Sequence, residues 1–275
     1  MKNKQIEKIL IAIKNTPVSA TSVDFAGLVA RKLSATVTLM SVVASENKRS
    51  AAEVGLEQVR QALAGLEVQA RVRKDKDVNR AILTELDSGS YDILVVGQVG
   101  GRRLARLLSE TRGSYLAERT DCPVLIVNKE YDRLERLLIC TSGQKVAERV
   151  VEFSARFAQA TQTRVSLLHV VSQVPAMYTG LDEIEETLAE LLQTETPLAQ
   201  HLRWCAQTLD QYSVPAELEL RHGVVVDEIL NEVREGDYDL VAIGSAAVKK
   251  SWQAWMLGDV TRQVIDCAPC PVLVV

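Results

Sequence analysis

The sequence predicts an α/β protein of two tandem five-stranded, mainly parallel sheets with flanking helices. Three observations carry that expectation. First, the chain repeats itself: Tyr91-Asp-Ile-Leu-Val-Val-Gly97 returns as Tyr238-Asp-Leu-Val-Ala-Ile-Gly244, and Cys122-Pro-Val-Leu-Ile-Val127 as Cys270-Pro-Val-Leu-Val-Val275. Second, each copy alternates short β-branched apolar runs with longer amphipathic stretches, the pattern of parallel strands joined by helical crossovers. Third, runs such as Ile93-Leu-Val-Val96 are apolar on successive residues, as in strands covered on both faces. Two copies of about 130–145 residues are domains and not layers of a solenoid. The expected domains are 1–130 and 131–275.

The first copy places strands at about 8–14, 36–43, 67–73, 92–97 and 123–127. Between the first two, Val18, Phe25, Leu28, Val29 and Leu33 fall near helical spacing, opened by Thr16-Pro17 as cap and first helical residue. Residues 78–88 and 102–120 are the next helical stretches. The second copy places strands at about 136–141, 164–171, 216–221, 239–243 and 271–275.

The offset between copies is informative. Lys8 matches Arg136 and Val37 matches Val165, 128 residues apart, whereas Tyr91 and Tyr238 lie 147 apart and Cys122 and Cys270 lie 148 apart. The second copy has therefore gained about 19 residues within 172–215, and one more just after Gly244. The gained stretch reads as two helices. Leu181, Ile184, Leu188, Leu191 and Leu192 mark one apolar stripe; Leu198, Leu202, Cys205 and Leu209 mark a second after Thr196-Pro197.

Composition narrows the function classes. A net charge of −4 and a pI near 5.6 argue against nucleic-acid binding through bulk positive charge. The longest apolar run near the start, Ile9 to Ile13, is too short for a signal core or a membrane span. Five cysteines without an even framework fit a reducing compartment, so a cytoplasmic location is expected.

In parallel α/β sheets, ligands sit in the crevice beyond the carboxyl ends of the strands. Two loops per copy belong there: Lys14-Asn15-Thr16 and Ser142-Gly143-Gln144 after strand one, Gly97-Gln-Val-Gly100-Gly101 and Gly244-Ser245-Ala-Ala247 after strand four. A glycine-rich turn feeding a helix lets backbone N–H groups approach a phosphate, and the helix N-terminus favours the anion.

These segments, in this order and spacing, resemble the universal stress protein family, twice over and throughout except the insertion. The resemblance implies a Rossmann-like fold akin to the adenine-nucleotide α-hydrolases, and ATP or another adenine nucleotide as ligand. The family pattern runs from an apolar first strand ending in Asp-Gly-Ser, through Asp-Leu-Ile-Val-Val-Gly and Gly-two-Gly-nine-Gly-Ser, to Pro-Cys-Pro-Val-Leu-Val-Val. It carries cofactor-binding roles onto Gly97, Gly100, Gly101 and Thr111 of copy one and Gly244, Ser245 and Gly258 of copy two. This chain departs from the pattern at several of its positions. The third glycine of copy one is Glu110, the residue after Gly258 is Asp259, the second glycine of copy two is Ala247, and the strand-one Asp falls on Lys14 and Ser142. A carboxylate about 4 Å from a phosphate costs roughly 1 kcal/mol in water-like surroundings and roughly 4 kcal/mol at an effective dielectric near 20. Arg102, Arg103, Arg106, Arg112 and Lys14 offer compensation in copy one, Lys249 and Lys250 in copy two. The alternative is a non-nucleotide adaptor or scaffold with degenerate sites.

Other constellations carry less. Cys267-Ala-Pro-Cys270 leaves a helix and enters a strand, the wrong end for a lowered thiol pKa. His169, His201 and His222 read as isolated, without metal-ligand spacing. Trp252 and Trp255, three apart, read as core or interface cover. No residue set is arranged for acid–base or nucleophilic work, so binding is expected, with at most slow ATP hydrolysis. The closing strands, Val124–Val127 and Val272–Val275, are short apolar edges that invite pairing, as an intramolecular pseudo-dimer or a homodimer, beside an unknown protein partner.

Overall fold

A computed structural model describes residues 5–13, 20–97, 112–128, 131–172, 188–245 and 252–275. The first repeat runs β1 (Lys8–Ile13), α1 (Ala20–Leu33), β2 (Thr36–Val43), α2 (Arg49–Ala62), β3 (Val68–Lys74), α3 (Val78–Ser88), β4 (Ile93–Gly97), α4 (Arg112–Ala117), β5 (Val124–Val127). The second runs β6 (Arg136–Thr141), α5 (Glu148–Thr161), β7 (Arg164–Ser172), α6 (Leu188–Gln193), α7 (Pro197–Gln211) and β8 (Ala216–Gly223). It closes with α8 (Val225–Glu235), β9 (Leu240–Ile243), α9 (Trp252–Cys267) and β10 (Val272–Val274). The α/β alternation expected from the apolar runs is present in both repeats.

Two compact units form, one of residues 1–134 with 270–275 and one of 135–269. In the first unit the strand order is β3-β2-β1-β4-β5-β10, parallel throughout except for the antiparallel pair β5–β10, where Leu125 faces Leu273. In the second the order is β9-β6-β7-β8, all parallel. All ten expected strands exist, but β10 joins the sheet of the first unit. The reason is apolar: Val124, Leu125 and Ile126 of β5 and Val272 and Leu273 of β10 are wholly buried, and pairing removes two unsatisfied edges.

The repeated Tyr-Asp pair is a structural device. Asp92 Oδ2 accepts the N–H groups of Glu7 (2.9 Å) and Lys8 (3.1 Å); Asp239 Oδ2 accepts those of Glu135 (2.8 Å) and Arg136 (3.0 Å). Each aspartate thereby fixes the start of strand one against strand four. The tyrosines reach the other way. Tyr91 Oη donates to Glu85 Oε1 at 2.8 Å, and Tyr238 Oη to Glu232 Oε1 at 3.0 Å, with both carboxylates buried on the helix before strand four. Arginines of the neighbouring strand complete each strut: Arg71 (2.8 Å) and Arg73 (2.7 Å) on Glu85, Arg221 (2.5 Å) on Glu232. Burial pushes the Glu85 carboxyl up, but the bonds from Arg73 and Tyr91 and the charges of Arg73 and Arg71 outweigh it, leaving it below its ordinary value. Burial, with Glu232 alongside, pushes Tyr238 up to about 12.

The segment between strands two and three departs from expectation. Helix α2 was not foreseen, because its buried face is Ala52, Gly55, Leu56 and Val59, two of them too small to mark a stripe. Helix α7 occupies the same place in the second repeat, so the stripe Leu202, Cys205 and Leu209 belongs to the ordinary crossover and not to an addition. The extra structure is α6, with Leu191 buried; residues 173–187, carrying Leu181 and Ile184, lie outside the described residues. The Thr196-Pro197 start is as expected: Thr196 Oγ1 accepts the Ala199 N–H at 3.2 Å with Pro197 in the first turn. The matching Thr16-Pro17 start lies outside the described residues.

Candidate functional site

The carboxyl ends of strands one and four lie side by side in each unit. In the first, Ala12 pairs with Val96 and Gly97 closes β4 beside Val127. Lys14, Gly100, Gly101, Arg102, Arg103, Arg106, Glu110 and Thr111 lie outside the described residues, and of Arg112 only the backbone is described. In the second unit Ile139 pairs with Ala242, so Thr141 and Gly244 leave the sheet together. Ser142, Gly143, Gly244 and Ser245 are all described there; Ala247, Lys249 and Lys250 are not.

The two glycines of this crevice serve different ends. Gly143 is left-handed (φ +72°), and a Cβ on it would meet Leu198 Cδ1 at 2.6 Å and His169 Cε1 at 2.9 Å. It is required by the backbone and its neighbours. Gly244 shows neither demand: among the described residues a Cβ there would meet nothing within 4 Å. Among the described residues, nothing stands where its side chain would be at the end of β9. Beside it, the buried Ser142 Oγ has no hydrogen-bond partner among the described residues. An unpartnered buried hydroxyl where the strands end is a polar group that gains from a partner.

Helix α9 closes the crevice. Thr261 Oγ1 donates to the Gly244 carbonyl at 3.0 Å, fixing the helix to the strand end. Gly258, one turn earlier, is inside the helix, which begins at Trp252. Its N–H is engaged by the helix itself, so what it offers a ligand is the lack of a side chain. Asp259 is exposed. Trp252 and Trp255 lie in the first turn of α9.

Sequence reasoning treated the histidines as isolated; the fold brings two of them together. Thr141 Oγ1 lies 2.7 Å from His201 Nε2, His169 Nδ1 lies 3.0 Å from the Thr141 carbonyl, and Cys205 Sγ lies 3.3 Å from His201 Nε2. The Gly143 N–H donates to Thr141 Oγ1 at 3.3 Å. The signal that could have found this was the (i, i+4) spacing of His201 and Cys205 on a helical stripe. Burial pushes the Cys205 thiol up to about 12, so it stays protonated and is no nucleophile. No group of three or more metal-ligating side chains occurs among the described residues. Cys267 ends α9 exposed, and Cys270 is buried before β10; neither forms a disulfide.

The fold defines a class: tandem α/β units in which strands one and four end side by side. The universal stress protein family model matches residues 5–128 and again 133–275, and the chain belongs to that family. Two single-repeat relatives cover about half of it. Universal stress protein MJ0531 of Methanocaldococcus jannaschii is 26% identical over 150 residues, spanning 54% of this chain and 86% of that protein. Universal stress protein YxiE of Bacillus subtilis is 24% identical over 145 residues, spanning 51% and 97%. Among solved structures, a universal stress protein from Archaeoglobus fulgidus superposes with a TM-score of 0.71 at 17% identity, covering 98% of this chain and 96% of its own. Protein PA1789 of Pseudomonas aeruginosa gives 0.71 at 14% identity, covering 98% and 92%. At these identities the structural likeness establishes the fold of the whole tandem chain. No helix among the described residues is long and apolar enough to cross a membrane.

Proposed function

We propose that this chain is a cytoplasmic stress-response binding protein that takes an adenine nucleotide, ATP foremost, and acts through a protein partner and not by turnover. The observation that carries the reading is that, among the described residues, nothing occupies the side-chain place of Gly244 and the Ser142 hydroxyl has no partner, where strands one and four end. Gly97, Gly100, Gly101 and Thr111 are the corresponding contacts of the first unit, and Gly244, Ser245 and Gly258 those of the second. Ser142 would hold a ligand hydroxyl or ring nitrogen. Gly244 and Ser245 would line the phosphate side with the start of α9 behind them.

A second reading, an adaptor that binds no nucleotide, draws on one specific observation. Leu198 of α7 and His169 of β7 press against Gly143 and narrow the strand-one side of the same crevice. Calorimetric titration of Mg-ATP into the parent and a Gly244→Leu chain separates the two. The nucleotide reading expects binding by the parent and loss of the second-unit site in the variant, with the fold intact by circular dichroism. Equal binding by both chains removes Gly244 from the site.

A further inference from the structure

All three histidines of the chain belong to the second unit. Where it has Thr141 and His169, the first repeat has Ile13 and Ser41, 128 residues earlier. We propose that the second unit carries an acid-sensitive latch: protonation of His201, seconded by His169, releases the Thr141–Gly143 loop at the end of β6 while the first unit holds its fold. The proposal stands whether or not a nucleotide binds.

The donor and acceptor roles of the cluster argue for it. The Thr141 carbonyl can only accept, so His169 Nδ1 carries the hydrogen of that 3.0 Å contact. Thr141 Oγ1 accepts from the Gly143 N–H and shares one hydrogen with His201 Nε2, carried by either atom. The protonated Cys205 thiol faces the same nitrogen. The neutral ring is satisfied as either tautomer, since Thr141 Oγ1 and the thiol can each give or take a hydrogen at Nε2. Charging the ring makes it a cation with an N–H on both nitrogens, and only Nε2 has an acceptor among the described residues, Thr141 Oγ1. The ring is 7% exposed and stacks on Trp204, so little water reaches the charge.

The groups facing the pair are few. Glu148 on α5 favours the charged His201, and His222 on β8 disfavours a charged His169. Cys205 and Arg203 share α7 with His201; Arg203 is occupied by the Leu192 and Thr194 carbonyls and Glu195. On α6, Glu190 is exposed. Burial dominates and lowers both histidines below their ordinary value, with Glu148 and the Thr141 carbonyl pulling back only in part. Above about pH 6.5 folded and unfolded chains alike carry neutral rings. Below it the unfolded unit takes up protons that the folded one refuses, so stability is lost as pH falls toward the lowered folded values. At pH 5 the opening equilibrium rises by up to about 30-fold per histidine.

Native-state hydrogen exchange of the full chain between pH 7.5 and 5, corrected for intrinsic rates, tests this. The expected result is a loss of protection in peptides covering 136–145 and 197–211, with 6–13 and 36–43 unchanged. The pair His169→Gln with His201→Gln flattens that pH response, and His222→Gln leaves it as in the parent. Parallel loss in both units, or an unflattened profile in the double variant, overturns the latch. If the double variant does not fold, imidazole proton NMR of the parent decides. His169 and His201 resisting protonation until the 136–145 amides open support it; both titrating near 6.5 in a still-protected unit overturn it.

Discussion

The two units keep the same struts and differ at the strand ends. Asp92 and Asp239 hold the start of strand one identically, and Glu85–Tyr91 is matched by Glu232–Tyr238. At the crevice, the second unit replaces Ile13 and Ser41 with Thr141 and His169 and adds His201 and Cys205 from α7. Duplicated α/β units can thus hold their internal scaffold fixed while the loop chemistry beyond the sheet diverges. The most repeated motif, Tyr-Asp, belongs to the scaffold; the varied positions belong to the site.

Breaking the comparison at its largest point means deleting residues 272–275. Val272, Leu273, Val274 and Val275 are all buried, and their loss also uncovers β5 in the first unit. A loss of about 6 kcal/mol or more is expected from four such side chains, read by urea unfolding. An unchanged transition would show that β10 contributes nothing. Next comes Asp239→Ala against Asp92→Ala. Each leaves two backbone N–H groups without their charged acceptor, but Asp239 is 1% exposed whereas Asp92 is partly open to water. Costs of about 3 and about 1 kcal/mol follow, and equal costs would contradict the burial argument.

Smaller effects sharpen the crevice. Gly143→Ala forces a side chain into a left-handed, crowded position and should cost about 1–2 kcal/mol, while Gly244→Ala should change stability by less than about 0.5 kcal/mol. Thermal unfolding of the two variants checks it; the reverse order would mean that Gly244 is the structural glycine. The smallest effect concerns Glu85. With its carboxyl held below the ordinary value, it contributes stability above about pH 4.5 that is lost as pH falls through the folded value. Arg71 and Arg73 are about half exposed, so screening keeps this near 1 kcal/mol. Glu85→Gln should remove that acid slope and leave the histidine-linked loss between about pH 6.5 and 5 untouched.

Strand positions were legible because β-branched runs repeat at fixed offsets and parallel strands need no alternation; their order in the sheet was not. The crossover α2 escaped because Ala52 and Gly55 carry little apolar signal. The location of β10 in the first unit's sheet was only half legible: an apolar edge announces that it will pair and not with which strand. At the site, glycine spacing singled out Gly244, which ends β9 and takes the Thr261 bond on its carbonyl, and Gly258, which lies within α9. It could not tell an open glycine from a crowded one such as Gly143. Nor could it bring His169 and His201 to Thr141, since that contact joins three elements far apart in sequence.

The most direct test of the account is native mass spectrometry of the full chain before and after adding Mg-ATP. It predicts a retained adduct of nucleotide mass that saturates at one or two per chain. A clean apo mass at every concentration would contradict it and leave the adaptor reading in its place.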